Sequence, residues 1–128
     1  MEENVYAIRG ATTVEHDSPA EIDEAVRELM EAIYSENGIT DSDAAFILFS
    51  QTRDIRTRNA AAACRRSGYG ALTPLFCVQE ADIAGGLPLA IRVMILVNHK
   101  KEREARMVYL RGASSLRPEY TKKEKQDD

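Results

Sequence analysis

The order of apolar segments predicts a sheet of about five strands with its helices mainly on one face, α/β or α+β in class. Three observations carry this reading. Strand-like and helix-like segments alternate in the first half of the 128-residue chain, strand-like ones dominate the second half, and one helix is marked at both ends. A single domain over residues 1–120 is expected at this length. The tail "TKKEKQDD", 121–128, mixes both charge signs without an apolar residue and is expected to be disordered.

Residues 4–11 are rich in aliphatic and β-forming side chains and read as the first strand, running into a loop at "TTVEHD". "SPAE", 18–21, then supplies Ser18 as N-cap, Pro19 at the first helical position and Glu21 three residues beyond the cap, the pattern of a capping box. Ile22, Val26, Leu29, Met30 and Ile33 follow as one helical stripe until Asn37-Gly38 ends the helix. Such a stripe covers a sheet. "AAFILFS", 44–50, is a short continuous apolar run and favours a second strand. "NAAAACRRSG", 59–68, gives a shorter, alanine-rich helix with Arg65 and Arg66 in its last turn. "TPLFCVQE", 73–80, is a third strand with a polar end, "AGGLP", 84–88, is turn chemistry, and "AIRVMILV", 90–97, is the most strand-like segment. "ARMVYL", 105–110, completes the set.

Composition narrows the function. With 44% hydrophobic and 30% charged residues the chain is ordinary for a globular protein, and no apolar run approaches the roughly 20 residues that span a bilayer. No secretory signal is apparent, so a cytoplasmic protein is expected. The net charge of −4 argues against general nucleic-acid binding, which needs a basic surface to release counterions. Cys64 and Cys77 lie in apolar or small-residue surroundings without CxxC spacing and read as buried thiols. His16 and His99 have no ligand-spaced partner, so no metal site is expected. No GxSxG elbow, Walker loop, GxGxxG or HExxH occurs.

What stands out is a permanent charge inside an apolar run. In strand geometry Arg92 shares a face with Ala90, Met94 and Leu96, and Arg9 shares one with Val5 and Ala7. An unpaired buried guanidinium costs several kcal/mol and cannot escape by losing its proton. The head group must reach water at a strand end, pair with an internal carboxylate such as Glu80, lie in a subunit interface, or bind a ligand anion. Two arginines in the same frame raise the last option, since the planar fork binds carboxylates in bidentate fashion. Cations, one carboxylate, one thiol and tyrosines could position a polyanion without covalent chemistry.

Four segments, "IRGATTVE" (8–15), "QEADIAGGLPLAIRVMI" (79–95), "VYL" (108–110) and "LRPE" (116–119), occur in the order and spacing of a known family. From about residue 8 to residue 119 the chain resembles the small, monofunctional AroH-type chorismate mutases. The resemblance implies an α+β fold, a mixed sheet of about five strands against a long helix and a shorter one. It also implies assembly as a pseudo-α/β-barrel homotrimer with active sites between subunits. The implied reaction is the Claisen rearrangement of chorismate to prephenate, with no cofactor.

By the same resemblance, Arg92 matches the arginine that contacts the ether oxygen and a substrate carboxylate. Arg9 matches the one that binds the enolpyruvyl carboxylate, which Tyr109 also hydrogen-bonds. Glu80 and Cys77 match the pair on the ring hydroxyl. Leu75, Phe76 and Leu116 would supply walls or backbone contacts, and Arg65 and Arg117 would neutralise the ring carboxylate. Residues 59–65 would come from the adjacent subunit, bringing Asn59, Ala61 and Ala62 to the rim. The family pattern of Phe-Pro-Ala-Lys is replaced here by "NAAA", 59–62, so an aromatic wall becomes Asn59 and a lysine becomes Ala62. Weaker capture of the dianion is expected, with Arg58 as a compensating cation. The chain is also one residue shorter between Asn98 and Tyr109. A non-catalytic trimer that binds an anionic metabolite, and an imine or enamine deaminase of a related trimeric fold, are the competing readings.

Overall fold

The computed structural model describes residues 4–101 and 103–116. Strand β1 (Val5–Thr13) is followed by helix α1 (Pro19–Asn37), β2 (Ala44–Gln51), the short helix α2 (Ala60–Arg66), β3 (Leu75–Gln79), β4 (Ala90–Asn98) and β5 (Val108–Tyr109). The five strands form one mixed sheet in the order β3-β2-β4-β1-β5. β4 runs antiparallel to both β1 and β2, whereas β2–β3 and β1–β5 are parallel pairs. This is the α+β arrangement of strands and helices that the sequence implied.

Helix α1 starts where expected but is capped differently. The Ser18 hydroxyl accepts the Glu21 N–H at 3.2 Å, as an N-cap should. The reciprocal half of the capping box is not made. The Glu21 carboxylate instead takes the N–H groups of Glu15 (2.6 Å) and His16 (3.0 Å), and these bonds, Glu15 first, hold its carboxyl below the usual range. At the other end Gly38 is left-handed (φ 63°) and returns its N–H to Tyr34 O.

The predicted stripe of Ile22, Val26, Leu29, Met30 and Ile33 is fully buried against Ile8, Ile47, Phe49, Ile91 and Ile95. Gly10 permits this approach, because a Cβ there would lie 2.8 Å from Val108 O and 2.9 Å from Ile33 Cδ1. Cys64 is fully buried in the same layer, and burial pushes its thiol up to about 12.

Three strands differ in extent from the sequence reading, β3 keeping only Leu75–Gln79 of the expected 73–80. β1 continues through Thr12 and Thr13, which pair with Ile91 and Ala90, so the loop begins later than residue 12. β5 is cut to two residues because the Arg106 backbone is held elsewhere. The Asn37 side chain accepts its N–H at 2.8 Å and donates to its carbonyl at 3.0 Å. The Arg106 backbone is thereby tied to the end of α1, and at Met107 it is the side-chain sulfur, not the backbone, that accepts the Arg9 N–H of β1 at 3.0 Å.

Among the described residues, the Thr12 hydroxyl is buried and lacks a hydrogen-bond partner. Replacing an orphaned polar group with an apolar one of the same shape removes its desolvation penalty, so Thr12→Val should stabilise the chain by about 1 kcal/mol. The urea midpoint should rise with an unchanged m-value.

Both helices lie on the sheet face carrying Ile47, Phe49 and Ile95. On the opposite face Phe46, Phe76, Val78 and Met94 are exposed. No described helix is long and apolar enough to cross a membrane.

Candidate active site

The strand register explains both arginines at once. Arg92 on β4 faces Ala11 of β1 on one side and Ser50 of β2 on the other. One rung along, Met94 lies between Arg9 and Leu48. Paired residues share a sheet face, so Arg9 and Arg92 stand on neighbouring rungs of the face opposite α1 and α2, where the 3-10 turn Arg111–Ser115 packs Ala113 against Ala11. They line a cavity of about 360 Å³ with Leu48, Ser50, Met94, Tyr109 and Leu116. Its floor is apolar and its charges are positive, which suits a small anion with a hydrophobic body.

Arg92 is held from one side only. Its Nε donates to both oxygens of Glu80, at 2.9 and 2.8 Å, and the Ser50 hydroxyl donates to Glu80 Oε1 at 3.0 Å. Glu80 is fixed further by its own N–H, which bonds Gln51 O at 2.8 Å. The pairing with an internal carboxylate is therefore present, and it coexists with the cavity. The two side chains are 41% and 21% exposed, so water screens the pair and its value lies in orientation more than in stability. Among the described residues the Nη groups of Arg92 make no hydrogen bond, and Arg9 has no carboxylate partner. Those donors are open to a ligand.

The remaining predicted residues separate into a second group. Asn59 is the N-cap of α2, its Oδ1 accepting the N–H groups of Ala61 (2.8 Å) and Ala62 (3.2 Å). It folds back on its own helix. Leu75 and Cys77 lie on the helix side of β3, packed against the main core, whereas Phe76 lies on the cavity side and is 65% exposed. The Cys77 thiol donates to Gln51 Oε1 at 3.1 Å, and burial raises it above the ordinary thiol range, opposed by the N–H groups of Ala60 and Ala61. Within one chain, then, Cys77 is on the face opposite Glu80 and Arg92. Arg65 makes no ion pair among the described residues. Arg58 is clamped by Asp23 at 3.0 and 3.2 Å, beside Arg66 on the same carboxylate, so it is not free to replace a rim cation. Arg117 and the 121–128 tail lie outside the described residues.

Sequence reasoning missed Ser50 and Gln51. Both are polar residues closing an apolar strand, the one trace they leave in the sequence. Their roles follow from register, which pairs Ser50 with Arg92 and Gln51 with Gln79.

Comparison with known proteins agrees with this geometry. Residues 5–120 match the family model of chorismate mutase type I. The chain is 38% identical over 116 residues to chorismate mutase AroH of Bacillus subtilis, covering 90% of this chain and 91% of that protein. It is 39% identical over 117 residues to chorismate mutase AroH of Thermus thermophilus, covering 90% and 95%. A solved chorismate mutase from Clostridium thermocellum superposes with a TM-score of 0.80 at 35% identity, over 86% of this chain and 98% of that one. None of these three is named for imine or enamine chemistry. Two arginines on adjacent rungs above an apolar cavity are thus set in a fold and a sequence matched along nearly their whole length, and the chain belongs to the chorismate mutase type I family.

Proposed function

We propose that the chain converts chorismate to prephenate, with the reacting atoms held in the cavity at Arg92. The observation that carries this reading is the grip on Arg92 through Nε alone, which leaves its Nη groups without a hydrogen-bond partner among the described residues, on a side chain that borders an apolar cavity together with Arg9. Chorismate has a ring and two carboxylates, and its rearrangement breaks an ether C–O bond as a C–C bond forms. Negative charge grows on the ether oxygen in the transition state. A guanidinium fixed beforehand stabilises that charge without reorganising.

On this reading Arg92 contacts the ether oxygen and a carboxylate, while Arg9 and Tyr109 hold the enolpyruvyl carboxylate. Glu80 and Cys77 serve the ring hydroxyl. Leu75, Phe76 and Leu116 form walls, and Arg65 and Arg117 neutralise the ring carboxylate. The step is unimolecular and needs no cofactor. A cytoplasmic enzyme of phenylalanine and tyrosine biosynthesis is the corresponding cellular role.

The split of the site residues between two sheet faces supports a second proposal, that the active unit is a homotrimer. One copy would present Arg9, Glu80, Arg92, Tyr109 and Leu116, and its neighbour the group on α2 and β3. The uncovered apolar face with Phe46, Val78 and Met94, next to an edge strand, is the kind of surface an oligomer buries. Following the diene absorbance of chorismate tests the activity, with the product identified by acid conversion to phenylpyruvate. Loss of absorbance with phenylpyruvate formed is expected. Tight chorismate binding without prephenate would instead identify a non-catalytic binder, and sedimentation equilibrium at the mass of one chain would reject the trimer.

A further inference from the structure

Ser50 and Gln51 are consecutive residues at the end of β2, so they address opposite faces of the sheet. Ser50 serves the cavity. Gln51 serves the other group of site residues. Its Oε1 accepts the Ala60 N–H at 2.8 Å and the Cys77 thiol at 3.1 Å, while its Nε2 donates to the carbonyls of Ile55 and Arg58, both at 3.2 Å. All four hydrogen-bonding positions of the amide are used. Two donors meet the oxygen and two carbonyls meet the nitrogen, so the partners themselves fix which way the amide points.

This clamp acts alongside the bonds from Asp17 to Arg56 and Thr57 and from Asp23 to Arg58, which hold the loop before α2 but leave the first N–H of the helix to Gln51. The helix has seven residues and buries only Ala60, Ala63 and Cys64, small side chains that give limited packing. Its first donors are divided between two elements. Asn59 takes the N–H groups of Ala61 and Ala62 with its side chain and that of Ala63 with its carbonyl, which leaves the Ala60 N–H to Gln51. The cap is completed by a residue from another strand. The same side chain holds the loop carbonyls just before the helix and the thiol on β3, so these parts move together or not at all.

We propose that Gln51 is a positioning residue of the reaction, which presents the Asn59–Ala62 turn and the Cys77 thiol as one rigid unit to the cavity of a neighbouring copy. This rests on the reading of the chain as a chorismate mutase whose site is completed by a second copy. Gln51 does not touch substrate. It acts through Ala60, Cys77 and the loop.

The test uses the full chain with Gln51→Leu and Gln51→Glu. Leucine removes all four bonds at similar volume, and glutamate keeps the acceptor for Ala60 and Cys77 while losing both donors. Misplacement of a substrate-facing turn should lower kcat/KM of Q51L by about 10- to 100-fold, and Q51E should be impaired as well, because its second oxygen is set against the carbonyls of Ile55 and Arg58. The decisive readout is mixing. In oligomers formed by refolding Q51L with Arg92→Ala chains, about a quarter of sites would pair an intact cavity with an intact α2 unit if copies assort at random. Activity above the sum of the two separate variants is expected, and a merely structural role would not produce it. Parental kcat/KM in both Gln51 variants overturns the proposal. So does impairment without gain on mixing, which would place the effect within one chain's own cavity. A parental chain that forms no prephenate overturns the functional reading as well, and that control distinguishes the two failures.

Discussion

Replacing Arg92 with alanine should lower kcat/KM for chorismate by at least 10²–10³-fold, the effect of deleting one preorganised donor to a developing oxyanion, about 2.7–4 kcal/mol. The loss should exceed that range for two reasons. The donor is charged, and its removal strands Glu80, which then faces the cavity with only Ser50 as a side-chain partner. An uncompensated carboxylate repels a dianion. Arg92→Lys should restore little, because an ammonium cannot hold Glu80 from one side and present a planar pair of donors on the other. Steady-state rates from the diene absorbance decide the matter. An Arg92→Ala enzyme that consumes chorismate at the parental rate would sink the assignment.

The largest effect on folding should come from Phe49→Ala. Phe49 is fully buried on β2, paired with Cys77 on one side and Val93 on the other, in the layer covered by the helices. Truncating such a ring costs about 3–5 kcal/mol, the lost transfer energy plus the cavity left behind. That is a large part of the roughly 5–15 kcal/mol by which domains are stable. Phe46, three residues earlier, is 38% exposed on the uncovered face, so Phe46→Ala should cost much less in the folding of a chain. Urea unfolding of both variants at one fixed protein concentration makes the comparison, since oligomerisation shifts apparent stability. Equal costs for the two would mean that the helix layer does not close the core.

Helix α1 was legible because its information is local. Ser18, Pro19, a five-residue stripe and Asn37-Gly38 all lie within one helix and its ends. The capping box misled because the Glu21 carboxylate has a second set of donors, the backbone of Glu15 and His16, that only the incoming loop brings near. The fifth strand was overextended because Asn37 binds the backbone of Arg106 across 69 positions of sequence. The arginines announced themselves by the cost of a charge in an apolar run. Their partner Ser50 did not, because a serine at a strand end is unremarked until register sets it beside Arg92. The separation of Cys77 from Glu80 was legible from alternation alone, since residues three apart on a strand point to opposite faces, although the family match gave the two residues one role.

The one-sided grip on Arg92 has a consequence for the field it projects. Guanidinium and Glu80 together are neutral, so the cavity sees the Nη donors as the positive end of a dipole more than as a bare charge. A dipole field falls away faster with distance than that of a monopole. Charge that develops close to those donors feels it strongly, while charge fixed farther away feels it weakly. On the proposed chemistry that gradient favours the breaking ether bond over the resting dianion, so the same carboxylate that orients the arginine also limits how tightly the ground state is held.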